Sequence, residues 1–407
     1  MTKKNKSILI SKLLFFTENN KLIEENLRIA DLFYEHDIAL GILARSTTIN
    51  ILRSKIPTDY QEKINFLSRD DKNKKDYIKQ NKDLIIAVIG VVNEDAIYSF
   101  NCRLPLFNPE KLISKELDIS EKVKQYGLPI NKFENVIDCL KAYEIHQENY
   151  FNIPFNQKFS VISLNNANTY QSPKDEERIK NIFSANLKGS VSERDQEILL
   201  ILLFHLINEV RTNSYYDSVK YWGTFPSSDP ENKNTSISFL KECVRKILNG
   251  LPKKGSELLI RQKEMQSKHT TRSTERINIK SNKDFETLIV NPELVNKIEG
   301  EVVCIIDDYI TNGYSAEAAK HLLLAAGAKE VIFLAFGKFG TKYYSTNYKI
   351  KGDVSSNYTY EFESELLCER VYEGKQVYNN GVNSGLKMLF YGGLKMSFFS
   401  GLRLSYI

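Results

Sequence analysis

The chain has 407 residues, more than a single hydrophobic core usually holds, and its 42% hydrophobic and 26% charged residues predict a globular protein with two or more domains. No apolar run is long enough to cross a membrane, and the polar start MTKKNKS does not lead into a signal peptide, so we expect a cytoplasmic protein without a membrane partner. Five cysteines without a CxxC pair argue against a disulfide framework and a structural zinc site.

The net charge of +5 is concentrated in one segment. Between Lys241 and Lys283 the sequence has twelve Lys or Arg against four Glu, which gives +8 and leaves −3 for the rest of the chain. A basic window of this kind favours a phosphorylated ligand or nucleic acid, and a solvated basic loop is the alternative.

Residues 1–115 predict a Rossmann-like α/β domain. SILISKLLFF, IALGILARS and LIIAVIGVV have the apolar content of buried parallel strands, and NKLIEENLRIADLFYEH has the periodicity of a helix. Small hydroxyl residues follow the second strand, and Asn93, Glu94 and Asp95 follow a later one. This loosely resembles the haloacid dehalogenase fold, in which such positions bind phosphate and Mg²⁺. That family's DxD nucleophile motif is missing after the first strand, so the resemblance implies a degenerate domain without phosphatase activity.

Residues 116–212 predict a helical connecting region. It ends in SERDQEILLILLFHLINEVR, where Ser192 and Asp195 are candidate N-caps. A helix so apolar on every side should be largely buried.

The stretch VCIIDDYITNGYS, which starts at Val303, predicts a binding site within residues 213–345. An apolar strand leads into Asp307 and Asp308, an alanine-rich helix follows and ends near Gly327, and a second strand, EVIFLAF, completes a βαβ unit. Ligands of such sheets bind at the carboxyl ends of the strands. The turn and the helix start suit a phosphate, and the carboxylates suit sugar hydroxyls, so the pattern favours a ribose 5-phosphate.

This stretch resembles the phosphoribosyl pyrophosphate (PRPP) motif of type I phosphoribosyltransferases. In that family the acidic pair, here Asp307 and Asp308, holds the ribose hydroxyls. The turn holds the 5′-phosphate, which assigns PRPP binding to Thr311, Asn312, Gly313, Tyr314 and Ser315. Two positions depart from the family pattern: Tyr309 replaces a small aliphatic residue, and Asn312 replaces Thr or Ser.

Two upstream segments extend the resemblance. SVKYWGTFPSSDPENKN resembles the pyrophosphate loop of the family and adds Pro226, Ser227 and Ser228 to the site. LIRQKEMQSKHTTRSTERI, in the basic window, resembles the corresponding segment of the ComF-like branch. It supplies Arg261 and Lys263 as catalytic cations for the leaving pyrophosphate. Its second-tier basic candidates are Lys268, His269, Arg272 and Arg276.

Residues 346–407 predict a β-rich C-terminal extension. It closes with an eight-residue repeat, SGLKMLFY, GGLKMSFF and SGLRLSYI, which in strands places Lys387, Lys395 and Arg403 on one face. Such an extension would pack on the body of the protein or on a neighbouring subunit, so we expect an oligomer contact there.

The predicted fold is therefore α/β, with two Rossmann-like domains joined by a helical region and a C-terminal domain of the type I phosphoribosyltransferase fold. The resemblance implies a pentosyltransferase that acts at ribose C1 of PRPP or a nucleotide. Its cofactor would be Mg²⁺, held by Asp307 and Asp308 indirectly, through ribose hydroxyls or water. The alternative is an effector of a bacterial anti-phage system of the retron type, which uses the same pocket on nucleotides and docks on a partner that contains nucleic acid, such as a reverse transcriptase. This alternative rests on analogy between families alone.

Overall fold

The structure is a computed structural model. It describes residues 6–71, 73, 76–78, 84–113, 117–144, 149–155, 157–168, 174–188, 195–232, 235–249, 255–264, 280–369, 371–373 and 375–376. Two large sheets, several helices and one long hairpin make up most of this part of the chain. The octad repeat, with Lys387, Lys395 and Arg403, lies outside the described residues.

The first sheet contains six strands: β1 (Lys6–Ser11), β2 (Ile38–Ala44), β3 (Ile64–Ser68), β4 (Ile85–Ile89), β5 (Leu106–Asn108) and β6 (Leu128–Pro129). They pair in the order β3-β2-β1-β4-β5-β6, and every pair is parallel. This is the strand order of Rossmann-like doubly wound sheets. The predicted α/β class is confirmed by this sheet.

Five helices accompany the first sheet: α1 (Leu27–Glu35), α2 (Ser46–Arg53), α3 (Asn93–Asn101), α4 (Glu121–Tyr126) and α5 (Glu134–Glu144). In α1 the buried residues are Leu27, Ile29, Ala30 and Phe33, whose spacing of three or four puts them on one face. All five residues of β4 are buried, as expected for a strand covered on both faces.

Seven further strands precede residue 340: β7 (Phe151–Phe155), β8 (Phe159–Asn166), β9 (Val219–Thr224), β10 (Leu259–Arg261), β11 (Leu288–Val290), β12 (Val302–Ile310) and β13 (Glu330–Lys338). Five form a second sheet in the order β7-β8-β13-β12-β9, while β10 and β11 pair separately. In the second sheet β7 is antiparallel to β8, and the other neighbours are parallel.

The segment 116–212, predicted as helical, contains β6, β7 and β8 as well as helices. In β7 buried residues alternate with more accessible ones, which is the two-residue period of a strand with one covered face. Four of the eight residues of β8 are polar, yet seven are buried because β8 lies inside the second sheet, between β7 and β13. A short segment of this mixed composition does not reveal from the sequence alone which element it forms.

Five helices belong to this half of the chain: α6 (Lys174–Lys188), α7 (Gln196–Thr212), α8 (Ser236–Asn249), α9 (Asn282–Phe285) and α10 (Tyr314–Ala325). The predicted burial of α7 is confirmed, since every residue from Ile198 to Phe204 is buried. Asp195 Oδ1 accepts a hydrogen bond from Ile198 N at 3.3 Å, which confirms Asp195 as an N-cap; Ser192 lies outside the described residues. No helix of the described chain is long and apolar enough to cross a bilayer.

The second sheet has an apolar core on each face. Val302, Cys304 and Ile306 of β12 belong to the cluster that also contains the first sheet and α7. The intervening residues Val303 and Ile305 belong to a second cluster with β10, β11 and α10. The two-residue period of a strand produces this division, so β12 is buried on both sides.

A long antiparallel hairpin follows the second sheet. It consists of β14 (Lys342–Asp353) and β15 (Asn357–Glu369), with the short strands β16 (Val371–Tyr372) and β17 (Lys375–Gln376) beside β15. The expected domain boundary at residues 345 and 346 falls within β14, so the extension is continuous with the preceding segment. Tyr343 of β14 is completely buried against α10, which ties the hairpin to the second sheet.

Candidate functional site

The acidic pair lies at the carboxyl end of β12, inside the strand rather than after it. Pairing with β13 continues through Asp307 with Ala335 and Ile310 with Lys338. Asp307 Oδ1 accepts a hydrogen bond from Asp308 N at 2.9 Å, and Asp308 Oδ1 accepts one from Tyr309 N at 2.6 Å. These short contacts fix both carboxylates, whose side chains remain partly accessible.

The loop of residues 311–315 connects β12 to α10 and includes the first two residues of that helix. Its conformation depends on a glycine. Gly313 is the N-cap residue of α10 and has φ +92°. A Cβ at this position would overlap the ring of Tyr343, so both the backbone angle and the space require glycine. Because glycine has no side chain to accept from the first-turn N–H groups, these groups and the helix dipole suit an anion.

Tyr314 contributes only its main chain to this loop. Its hydroxyl donates to Glu365 Oε2 at 3.1 Å, and its ring stacks on Tyr344 with the centroids 5.6 Å apart. The side chain therefore points toward the hairpin, and burial raises its pKa. At the far end of α10, Gly327 has φ +88° and ends the helix as predicted.

The structure brings the second predicted loop beside the first. β9 lies parallel to β12, with Thr224 opposite Ile306, and Phe225 N donates to Ile306 O at 3.1 Å. Pro226, Ser227 and Ser228 leave the sheet at this point, next to the acidic pair. Both predicted ligand loops thus lie beyond the carboxyl ends of two adjacent strands.

Arg261 does not face a ligand as predicted, because its side chain is buried with only 1% of it exposed. Its Nε donates to Ser227 O at 2.7 Å, and its Nη2 lies 3.2 Å from the buried carboxylate of Asp284. Nη1 donates to Thr287 Oγ1, and Nη2 also donates to Pro226 O at 3.4 Å. Arg261 therefore shapes the loop at residues 226–228 from behind.

The remaining predicted cations have different placements. Lys263 is exposed, two residues after β10. The second-tier candidates lie outside the described residues: Lys268, His269, Arg272 and Arg276.

Part of the basic window is used inside the protein. Lys241 is completely buried, and its Nζ lies 2.8 Å from Glu242 Oε1 and 2.7 Å from Glu257 Oε1. Glu257 Oε2 in turn accepts hydrogen bonds at 3.0 Å from the N–H and the hydroxyl of Thr224. Part of the positive charge of this window therefore stabilises the end of β9 inside the protein. A count of basic residues in the sequence could not show this.

Lys188 is a site residue that the sequence did not indicate. It ends α6, and its Nζ lies 3.6 Å from Asp308 Oδ2 and 5.0 Å from the ring centre of Tyr309. The Tyr309 hydroxyl lies 2.8 Å from Ser184 Oγ on the same helix. A lysine at the end of an amphipathic helix looks ordinary in sequence, and only the fold brings it to the acidic pair.

The carboxyl edge of the first sheet has a different character. Asp95 is completely buried, accepts from Val91 N at 3.0 Å and Val92 N at 3.1 Å, and pairs with Arg69 Nη2 at 2.5 Å. Asn93 Oδ1 accepts from Lys122 N. Both oxygens of Asp95 are engaged within the protein, so this carboxylate is not presented to a Mg²⁺ ion as the resemblance implied.

The residues at β12 fit Mg²⁺ bound through a ligand better than a direct metal site. Among the described residues there is no group of three or more His, Cys, Asp or Glu side chains that could hold a metal. The two accessible carboxylates are oxygen donors of the kind that Mg²⁺ prefers, and this ion usually keeps water or phosphate as its other ligands.

Comparison of the chain with models of protein families, with curated proteins and with solved structures finds no match. The case for a function therefore rests on the residues and the geometry described above.

Proposed function

We propose that the second sheet and its helices form a phosphoribosyltransferase-type domain that binds PRPP, or the ribose phosphate of a nucleotide, and transfers or cleaves at ribose C1. The observation that carries this proposal is the parallel pairing of β9 with β12. It brings the loop at residues 226–228 to the acidic pair, on the same side of the sheet as the loop at residues 311–315. In this arrangement the loop at residues 226–228 would contact the pyrophosphate, the acidic pair the ribose, and the loop at residues 311–315 the 5′-phosphate.

The chemistry of each part matches one part of the ligand. The carboxylates of Asp307 and Asp308 accept hydrogen bonds from the ribose hydroxyls, which orients C1 toward the neighbouring loop. The N–H groups around Gly313 hold the 5′-phosphate at the start of α10. Ser227 and Ser228 offer hydroxyls and N–H groups to the pyrophosphate. In transfer, the C1–O bond to pyrophosphate breaks with its electron pair while a nucleophile bonds to C1.

Charge at the site also suits this reaction. When bound, Mg²⁺ would neutralise charge on the pyrophosphate, and Asp307 and Asp308 would hold the ion indirectly, through ribose hydroxyls or water. Lys188 partly neutralises Asp308 in the free protein, which lowers the repulsion between the acidic pair and an approaching anion. The departure at Tyr309 is accommodated, because its ring packs on Gly337 and its hydroxyl is held by Ser184.

Three cations of the basic window do not serve the alternative, an effector that docks on nucleic acid. Lys241, Arg245 and Arg261 are all buried in ion pairs with acidic residues. These three cations are therefore not offered to a phosphate backbone.

The proposal is tested by calorimetric titration with PRPP and Mg²⁺, beside ribose 5-phosphate and a nucleoside monophosphate. We expect Asp307→Asn with Asp308→Asn to weaken PRPP binding by at least about a hundredfold, because hydrogen bonds from two hydroxyls to charged acceptors are lost. Asp70→Asn with Asp71→Asn is a matched control, an adjacent pair after β3 of the first sheet. Unchanged affinity in the β12 double variant would show that the site is misassigned.

A further inference from the structure

A lysine is buried directly behind the loop of residues 311–315. Lys338, the last residue of β13, has no exposed surface, although lysine is rarely buried in full without a partner. Its Nζ has three N–H donors and lies within hydrogen-bond distance of four main-chain carbonyls, 2.6 Å from Thr311 O, 2.6 Å from Phe339 O, 3.0 Å from Lys342 O and 3.4 Å from Gly340 O. The first of these carbonyls opens the loop, so the ammonium ties the loop to the turn after β13.

The ammonium of Lys338 is stabilised by main-chain carbonyl dipoles rather than by a carboxylate. Across the described residues no acidic side chain forms an ion pair with it, and the nearest aromatic ring, Phe151, has its centre 5.6 Å from Nζ. Burial lowers the pKa of Lys338 to about 7. A buried ammonium without a charge partner is costly, and an anion placed at the adjacent loop would reduce that cost.

We propose that Lys338 is the buried counter-cation of the phosphate group bound by residues 311–315, and that its ammonium holds Thr311 in the position that binding requires. This inference rests on the proposed function and adds a positioning residue to the same site. Lys338 acts through the Thr311 carbonyl and through its charge, without touching the ligand.

The proposal predicts that phosphate binding and the protonation of Lys338 are linked. A bound phosphate stabilises the ammonium and so raises the pKa of Lys338 above its value in the free protein. Affinity is therefore complete below about pH 7 and falls as the pH rises, by up to about tenfold per pH unit until the pKa of the complex is reached. The second ionisation of a phosphate monoester lies near pH 6, so the range from pH 7 to 9 isolates the lysine.

Other charged or titratable side chains face this region from three elements. They are Asp307 and Asp308 on β12, Lys180 and Lys188 on α6, and Tyr343 on β14. Burial raises the pKa of Tyr343 well above its ordinary value, so this phenol stays neutral over the range. The remaining groups are common to the wild type and to a Lys338 variant, so their effects cancel in the comparison.

The test is calorimetric titration of the full chain with PRPP and Mg²⁺ at pH 7, 8 and 9, in two buffers of different ionisation enthalpy. Wild type should bind more weakly at each step in pH and should take up about one proton per ligand at pH 8. Lys338→Met should bind at least about tenfold more weakly at pH 7, with a flat pH profile and no proton uptake. Lys342→Met, which removes an exposed lysine on the same turn, should behave as wild type.

The outcomes separate the two proposals. If wild type binds none of PRPP, ribose 5-phosphate and the nucleoside monophosphate, the proposed function fails and this inference fails with it. If wild type binds with a flat pH profile, or if Lys338→Met keeps wild-type affinity, only the role of Lys338 is overturned. If circular dichroism shows that Lys338→Met is unfolded, the pH profile and proton uptake of wild type decide alone.

Discussion

Gly313 shows how a single residue controls the candidate phosphate loop. Gly313→Ala should lower the free energy of unfolding by about 2–3 kcal/mol, from the positive φ together with overlap between the new methyl group and the Tyr343 ring. It should also weaken binding of ribose 5-phosphate, since the loop must move. Urea denaturation and titration measure the two effects.

Gly300→Ala is the matched control for this change. Gly300 also has a positive φ, of +71°, but a Cβ there would meet nothing within 4 Å. Its substitution should cost about 1 kcal/mol and leave binding unchanged. Equal costs at the two glycines would mean that the Tyr343 ring is free to move aside.

Residue-scale roles were only partly predictable from the sequence. The acidic pair and Gly313 stand in one continuous stretch, where spacing alone carries the information. Lys338 and Lys188 owe their roles to partners far away in the chain, and in the sequence they are ordinary basic residues. Arg261 was expected at the ligand, and its burial against Asp284 came from pairing between β10 and β11 that no local signal reveals.

At the scale of elements, the loop after β9 is held in shape by β10. Arg261→Lys keeps the charge but loses the planar guanidinium that reaches Ser227 O and Asp284 together. We expect about tenfold weaker binding of PRPP and a loss of about 1–3 kcal/mol in stability. Binding of ribose 5-phosphate should stay within about twofold, because this ligand lacks the pyrophosphate that the loop at residues 226–228 would hold.

That difference between two ligands distinguishes positioning from a general loss of structure. Lys263→Met, which changes an exposed side chain, should leave stability unaltered. A parallel loss of both ligands in Arg261→Lys would place Arg261 in the general support of the fold instead.

The βαβ unit from β12 to β13 was predictable because its signals are local, namely a β-branched run, an alanine-rich helix and Gly327. The strands β7 and β8 were not, since their short segments mix apolar with polar residues and only pairing within the second sheet makes them strands.

For the whole molecule, the core formed by the first sheet, α7 and one face of the second sheet is continuous. Leu202 of α7 is completely buried in it. Leu202→Ala should cost about 2–5 kcal/mol and should destabilise both sheets together. Hydrogen exchange of peptides from β1 and β12 measures this, with Ile51→Ala, at a half-exposed position of α2, as the control. Faster exchange in only one of the two peptides would show that the sheets unfold independently.

The order of strands in the two sheets could not be deduced from the sequence, because it depends on which runs pair across long distances. The alternation of apolar runs and helices did establish the α/β class. The same alternation did not show that α7 would share one hydrophobic core with both sheets.

The hairpin behind the loop at residues 311–315 has a consequence for synthesis on the ribosome. Tyr314 lies 51 residues before its partner Glu365, and Gly313 packs against the ring of Tyr343. At roughly 5–20 residues per second, several seconds separate the making of this loop from the arrival of the strand that supports it. The first sheet is fully synthesised well before then. A nascent chain should therefore acquire its ligand affinity only after β14 and β15 have been synthesised and have folded against the loop.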